Sequence, residues 1–492
     1  MAQAISVPAL ARTGSGLHEP FHSRPRGLFF SPASKTFAML SRCVAVSAAR
    51  LATDSLRTLL PLAACACVRS SRVASSLAAK AGANAPKRPV ASESGGASKQ
   101  RPACLSDREA KTLTIRGRQV QVEEGFWDYV ADEQSVRDAP LYANNTENYV
   151  GTIKFPLGVI GPLRVNGEYA KRDYVVPMAT HEGALLASYD RGAKAITEAG
   201  GVTTRITGRS MLRAPVFLFA NIAEANDFYR FANMDVTKEA LKRCVNQGVN
   251  HCTVTHVRVF QTDRKVHISI GIDSQNAAGQ NKVTYCGDLA MRFMKEHYPG
   301  DIPEMYIEGG FNAGKRVSVL HTLLGKGHSV VADCVIPREV VENVLHTSPY
   351  RLQRFQKMHN RTNEFIGGIS CTAHVANGLT AFYIANGQDP ACVAESQAAV
   401  THFDVDGLEP SADLSTCDLY ASITLNSIIV ASVGGGTQLP AFKGARSMMG
   451  VESANELAEI CAATALAGEL SFYAAMESAE FSAAHWNMTH KK

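Results

Sequence analysis

The sequence predicts an α+β protein in which long helices bracket a smaller strand-rich insertion, and three features carry that prediction. Across 175–205 (VVPMATHEGALLASYDRGAKAITEAGGVTTR), Leu185, Leu186, Tyr189, Ala193 and Ile196 recur at three- and four-residue spacing. They form one apolar stripe of a helix that ends at Gly200 and Gly201. From 216 to 306 the pattern changes to strand-like runs, VFLFANI, VTHVRVF and KVHISIGI, with helices over 236–247 and 283–297, which reads as a small inserted α+β unit. After Lys315 long helices return, over 338–346, 364–386 and 455–486. The last is about 30 residues and about 45 Å long, and its Ala, Ser and Gly content permits close helix packing.

Taken in order, residues 1–105 are rich in Ala, Ser and Arg and hold 14 Lys and Arg against Glu19, Asp54 and Glu93. That is the composition of an organelle transit peptide or of a disordered arm. Beyond it 36 basic residues face 42 acidic ones, so the body is mildly acidic and lacks the basic footprint of nucleic-acid binding. The 12 cysteines are scattered without zinc-site spacing and read as reduced thiols. No run reaches the roughly 18 apolar residues of a membrane span. The organisation expected is a leader (1–105), a small N-terminal helical region (106–150), a large domain in two parts (151–214 and 307–487), the insertion (215–306) and a short tail (488–492).

Several residues carry candidate chemistry. Thr180 is a candidate N-cap, and Glu182 then falls in the first helical turn, where a carboxylate also suits the helix dipole. Arg205, Arg209 and Arg213 suit phosphates, a carboxylate or solvent. NAAGQNKV (276–283) is a Gly-bearing turn opening a helix, suited to a phosphate or dinucleotide or to a plain loop. Asp389 follows a helix end, where caps and turns are common. The buried strand in SITLNSIIVASVGGGTQLP (422–440) runs into three glycines, where backbone can approach a ligand closely.

Together ENYVGTIKFPLGVIGPL, PMATHEGALLASYDRGAKAI, the Gly-turn helix, ANGQDPACVAES, SVGGGTQLP and ELSFYAAMESAEFSAAHW resemble the hydroxymethylglutaryl-CoA reductase family, in order and at its spacing, over about 140–487. The resemblance implies a large, mostly helical domain around a long central helix, with the inserted α+β domain carrying the nicotinamide cofactor. It implies a homodimer or higher oligomer with active sites at the subunit interface, built partly from ENYVGTIKFPLGVIGPL. It implies four-electron reduction of 3-hydroxy-3-methylglutaryl-CoA to mevalonate and CoA by two NADPH, in isoprenoid biosynthesis, NADH not being excluded.

By the same resemblance Glu182, Lys315, Asp389 and His485 are catalytic. Lys315 stabilises the oxyanion of the thioester and aldehyde stages, and His485 protonates the departing CoA thiolate. Glu182 donates a proton with its pKa raised by a neighbouring Asp389. Arg213, Arg316 and Asn377 hold the hydroxymethylglutaryl end, Ser188, Arg191 and Lys194 contact CoA, and Asn276, Gly279, Gln280, Asn281, Gly435 and Gly436 contact the nicotinamide nucleotide.

The chain departs from the family at three places. Asn276 stands where the dinucleotide motif opens with Asp, Asn250 stands where an Arg meets the cofactor phosphate, and Gly314 stands where an Asp helps bind substrate. These departures leave two alternatives, a catalytically impaired CoA-thioester-binding paralogue and NAD-dependent oxidation of mevalonate. The basic leader in place of a multi-span anchor predicts an organelle location if it is a transit peptide, and otherwise a cytoplasmic one.

Overall fold

The computed structural model describes residues 112–115, 118–406, 416–482 and 486. The leader at 1–105, His485 and the tail at 488–492 lie outside the described residues. The described chain opens with a hairpin of β1 (Thr112–Ile115) and β2 (Arg118–Gln121), a strand pair at the head of the region expected to be helical, before α1 (Glu124–Tyr129) and α2 (Glu133–Tyr142). Next, β3 (Leu157–Arg164) pairs antiparallel with β4 (Asp173–Ala179), and α3 (Leu185–Glu198) packs on β3. The α3 stripe is as its spacing requires, with Leu185, Tyr189, Ala193 and Ile196 buried. Gly200 and Gly201, both at positive φ, end the helix.

The strand-rich segment holds β5 (Thr203–Arg213), β6 (Val216–Leu218), α4 (Ile222–Asn233), α5 (Asp235–Gly248), β7 (Thr253–Thr262), β8 (Lys265–Asp273), α6 (Gln280–His297) and β9 (Glu304–Tyr306). Helix α4 was not expected. Its signal is the Asn221/Glu224 pair: Asn221 Oδ1 accepts from Glu224 N at 3.0 Å while Glu224 Oε2 accepts from Ala220 N at 3.2 Å, a reciprocal cap.

The remainder comprises α7 (Val319–Leu324), β10 (Gly327–Ile336), α8 (Arg338–Leu345), α9 (Pro349–Phe365), α10 (Val375–Ala385), the short α11 (Val393–Ser396), β11 (Ala399–Asp406), β12 (Asp418–Ile428), α12 (Pro440–Ser447) and α13 (Ala454–Glu477). Two helical expectations need correction. The span 364–386 is broken after Phe365, where Gly367 takes a φ of +76°. The terminal helix has 24 residues rather than about 30, ending before Ala479 at φ +62°.

Among the described residues an eight-stranded antiparallel sheet runs β11-β12-β10-β5-β8-β6-β9, with β7 also paired to β8. Strand β5 pairs in succession with two neighbours: 203–210 pair with β10, and Met211 to Arg213 pair with β8, so Arg213 is the last residue of β5.

Helix α13 is buried nearly all round and packs against α3, β10 and β12. It is long and apolar enough to cross a membrane, but 94% of the apolar window lies inside the protein. Its two interior carboxylates are used as backbone acceptors. Glu459 takes the N–H groups of Glu168, Tyr169 and Ala170 at 2.7–3.0 Å, and Glu469 takes those of Ala373 and His374 at 2.8 and 3.0 Å. Buried carboxylates of this kind are tolerable because charge-assisted bonds replace their water.

Small residues set the α3–α13 spacing. A Cβ on Gly192 would sit 1.8 Å from the Ala467 carbonyl oxygen, so no side chain fits without moving backbone. Gly192→Val is expected to destabilise the fold by about 3 kcal/mol, read as a lower midpoint in urea, since overpacking a close-packed contact forces shifts on both helices. An unchanged midpoint would show that the helices separate freely.

Candidate active site

Lys315 lies in the loop between β9 and α7, in the left-handed region at φ +57°, with Ala313 also left-handed at +45°. A non-glycine residue stays there only if its surroundings hold it. Here Lys315 N donates to Glu395 Oε1 at 2.8 Å, and the same oxygen accepts from Lys326 Nζ at 2.9 Å. The Lys326–Glu395 pair is buried, with side chains 6% and 1% exposed. The loop is further pinned by His321 Nε2 at 3.0 Å from the carbonyl of buried Asn312.

The Lys315 ammonium donates to Asp389 Oδ2 and, at 2.9 Å, to Cys392 Sγ. Asp389 serves as the cap its position suggested, Oδ1 accepting from Ala391 N at 3.1 Å, which leaves Oδ2 free for the lysine. Burial acts against both charges, yet for each the partner outweighs it. The Lys315 contact holds the Asp389 carboxyl below its ordinary value, and the Asp389 and Cys392 contacts raise the Lys315 ammonium above its own.

A cavity of about 300 Å³ opens beside this pair, lined by Arg213, Gln280, Val283, Glu308, Asn312, Gly314, Lys315, Arg316, Lys326 and Glu395, with Met211 and Leu212. A roomier depression of about 1010 Å³ near Leu218 and Lys265 brings none of the predicted site residues together. Arg316 donates to the Gly310 carbonyl at 3.2 Å. Arg205 and Arg209 stay outside the cavity: Arg205 donates to the Thr204 carbonyl, and Arg209 pairs with Asp273 at 2.9 Å.

The Gly-turn helix meets the same cavity. Gly279 caps α6 at φ +85°, where a Cβ would lie 2.5 Å from Ser274 Oγ, and Gln280 Nε2 donates to Cys392 Sγ at 2.9 Å. Behind the turn, the Asn276 carbonyl accepts from Ser432 N and Val433 N at 3.0 and 3.2 Å, and its Oδ1 accepts from Ala454 N at 3.1 Å. This docks the turn against the triple-glycine loop, where Gly434 and Gly435 have positive φ and face open space. The two candidate cofactor segments, about 150 residues apart in sequence, are neighbours. Asn281 is exposed.

Glu182 is placed elsewhere. It precedes α3 rather than occupying its first turn, and Thr180 Oγ1 accepts from Glu182 N at 3.0 Å while left-handed Ala184 stands at the N-cap. Its carboxylate accepts from Asn377 Nδ2 at 3.4 Å, so Asn377 belongs with Glu182. The expected Glu182–Asp389 carboxylate pair is not a contact within the described chain, because Asp389 is turned to Lys315. Ser188 and Arg191 converge on Ser471 at 3.0 Å, Arg191 also pairing with Glu480 at 3.1 Å, while Lys194 is exposed near Glu198. His485 is outside the described residues.

Reasoning from sequence missed Cys392, Glu395, Lys326 and Glu308. Cys392 had a usable signal, lying three residues after Asp389 and so on its side of a helical turn, whereas Glu395, six residues on, did not. Lys326 and Glu308 had none, since only the fold brings them to the cavity.

An ammonium locked to a carboxylate, beside a cation-rich cavity that a glycine-opened helix enters, defines an α+β protein with a site suited to an anionic ligand. Comparison with known proteins makes this specific. The model of the family described as hydroxymethylglutaryl-coenzyme A reductase matches residues 114–490, and the chain belongs to that family. The 3-hydroxy-3-methylglutaryl-coenzyme A reductase of Aeropyrum pernix is 36% identical over 354 residues, 70% of this chain and 82% of the relative. That of Pyrococcus horikoshii is 34% identical over 364 residues, 71% and 85% of the two chains. In fold the chain is similar to the class II 3-hydroxy-3-methylglutaryl-CoA reductase from Streptococcus pneumoniae bound to NADPH in open conformations, with a TM-score of 0.55 and 19% identity over 70% of this chain and 93% of the other.

Proposed function

We propose that the chain reduces 3-hydroxy-3-methylglutaryl-CoA to mevalonate and CoA with two NADPH. The observation that carries the reading is that Lys315, Arg213, Arg316 and the first turn of α6 line one cavity. The carbonyl oxygen becomes negative in each of two hydride transfers, and the Lys315 ammonium, held by Asp389 and Cys392, is a preorganised donor for it. Arg213 and Arg316 supply cations for the free carboxylate. The nicotinamide nucleotide supplies hydride, and the α6 N-terminus with the Gly434–Gly436 loop is its cradle. In this reading 215–306 is the cofactor-binding insertion between the two parts of the large domain. His485 protonates the departing thiolate, and Ser188, Arg191 and Lys194 contact CoA once the Ser471 and Glu480 contacts open.

Among the described residues Glu182 and Asn377 pair with each other and make no hydrogen bond to Lys315 or Asp389. This supports a homodimer in which the Glu182 of one subunit completes the Lys315 site of the other. Mixing Glu182→Gln and Lys315→Ala subunits tests it: rescue of activity toward a quarter of wild type is expected, and no rescue would contradict shared sites. The leader at 1–105 is read as a transit peptide, and a fluorescent protein fused behind it would be expected in an organelle.

Lys282 favours NADPH. Its Nζ lies 3.0 Å from the His251 carbonyl, next to Asn250, and so restores a cation where the family has arginine. Lys282→Gln is expected to raise KM for NADPH about tenfold and leave KM for NADH within twofold, as expected when one phosphate contact is lost. Equal effects on both nucleotides would remove Lys282 from cofactor selection. The reading as a whole is tested by thioester-dependent oxidation of each nucleotide at 340 nm.

A further inference from the structure

Arg213 is the cation proposed above for the carboxylate of the hydroxymethylglutaryl end, and the role inferred here for its neighbour Glu308 rests on that reading. In the folded chain the Arg213 guanidinium is already engaged. Nη1 donates to Glu308 Oε2 at 3.0 Å, Nη2 donates to Thr284 Oγ1 at 2.6 Å, and buried Nε has no acceptor among the described residues. Glu308 is fixed in turn, because its Oε1 accepts from Gly310 N at 2.7 Å. Both side chains are largely shielded, 22% and 31% exposed, and both line the cavity that holds Lys315.

Toward Arg213, then, Glu308 occupies the place a carboxylate ligand would take. A partly buried guanidinium with no counterion is unfavourable, so the internal acid stabilises the empty site. The same acid opposes ligand entry, because an incoming carboxylate must displace it or share the cation with a like charge. We propose that Glu308 is a specificity-determining residue, an internal counterion of Arg213 that the free carboxylate of the acyl-CoA displaces. Its effect falls on thioesters with a free carboxylate and spares those with an uncharged acyl group.

The test is isothermal titration of the full chain with hydroxymethylglutaryl-CoA, butyryl-CoA and CoA. Glu308→Gln keeps the shape and an acceptor for Gly310 N but removes the charge. It is expected to tighten hydroxymethylglutaryl-CoA binding by about fivefold, the range of a partly exposed ion pair, with butyryl-CoA and CoA within twofold. Glu308→Ala, checked for folding by circular dichroism, is expected to shift binding in the same direction. Weaker or unchanged hydroxymethylglutaryl-CoA binding in both variants would overturn the proposal and make Glu308 a residue that orients Arg213. Arg213→Gln separates the underlying reading: if it leaves hydroxymethylglutaryl-CoA binding unchanged, Arg213 is not the carboxylate's partner and both claims fail together.

Discussion

Lys315→Ala is expected to lower kcat for hydroxymethylglutaryl-CoA reduction by about 10²- to 10³-fold, the usual effect of removing a preorganised oxyanion donor. KM should change much less, because the ammonium meets full negative charge only as hydride arrives. The substitution also releases Asp389. With the lysine gone, burial is opposed only by the hydrogen bonds from Ala391 N and Cys392, and the Asp389 pKa rises.

In the wild type, the lowered Asp389 contributes stability that is present above its ordinary value of 3.8 and is lost as pH falls through its folded value. The raised Lys315 contributes stability that is complete below 10.5 and is lost as pH rises through its folded value. The pair therefore holds throughout the neutral range. A pH–rate profile whose acid limb lies at higher pH in Lys315→Ala than in the wild type would confirm the coupling. Fully retained kcat would remove Lys315 from the chemistry.

Lys326→Met is expected to destabilise the protein by about 3–5 kcal/mol, since it strands the Glu395 carboxylate, 1% exposed, without its counterion. Among the described residues Glu395 Oε2 has no hydrogen-bond partner, so Oε1 carries the burden of satisfying the charge. The double variant Lys326→Met, Glu395→Leu should recover most of the stability, because an apolar pair of similar volume replaces two buried charges. It should not recover activity: Lys315 N would lose its acceptor, and nothing would hold that residue at φ +57°. Urea midpoints and kcat together separate the two effects, and a double variant with normal turnover would show that the loop needs no anchor.

Helix periodicity was legible where an apolar stripe is strict, as at Leu185, Tyr189, Ala193 and Ile196, because one buried face dictates 3.6-residue spacing. It failed at 364–386, where apolar content continues but Gly367 and Gly368 interrupt the backbone, and in α13, where burial on all sides leaves no polar face to mark the end. Lys315, Asp389 and Gly279 could be named in advance because each sits in a motif of the family. The residues that hold them could not. Lys326, for instance, lies next to Glu395 only because β10 and α11 both border β12. At the Gly314 departure a Cβ would make only ordinary contact, 3.6 Å from Lys326 Nζ, and the Lys326 ammonium already has Glu395 as its carboxylate.

This chain is expected to carry out a complete four-electron reduction. The most direct measurement follows NADPH oxidation at 340 nm together with CoA thiol release, on the same sample of full chain given limiting hydroxymethylglutaryl-CoA. Two NADPH oxidised per thiol released, with mevalonate as the product, is the predicted result. Folded protein that binds hydroxymethylglutaryl-CoA yet oxidises neither NADPH nor NADH would contradict it.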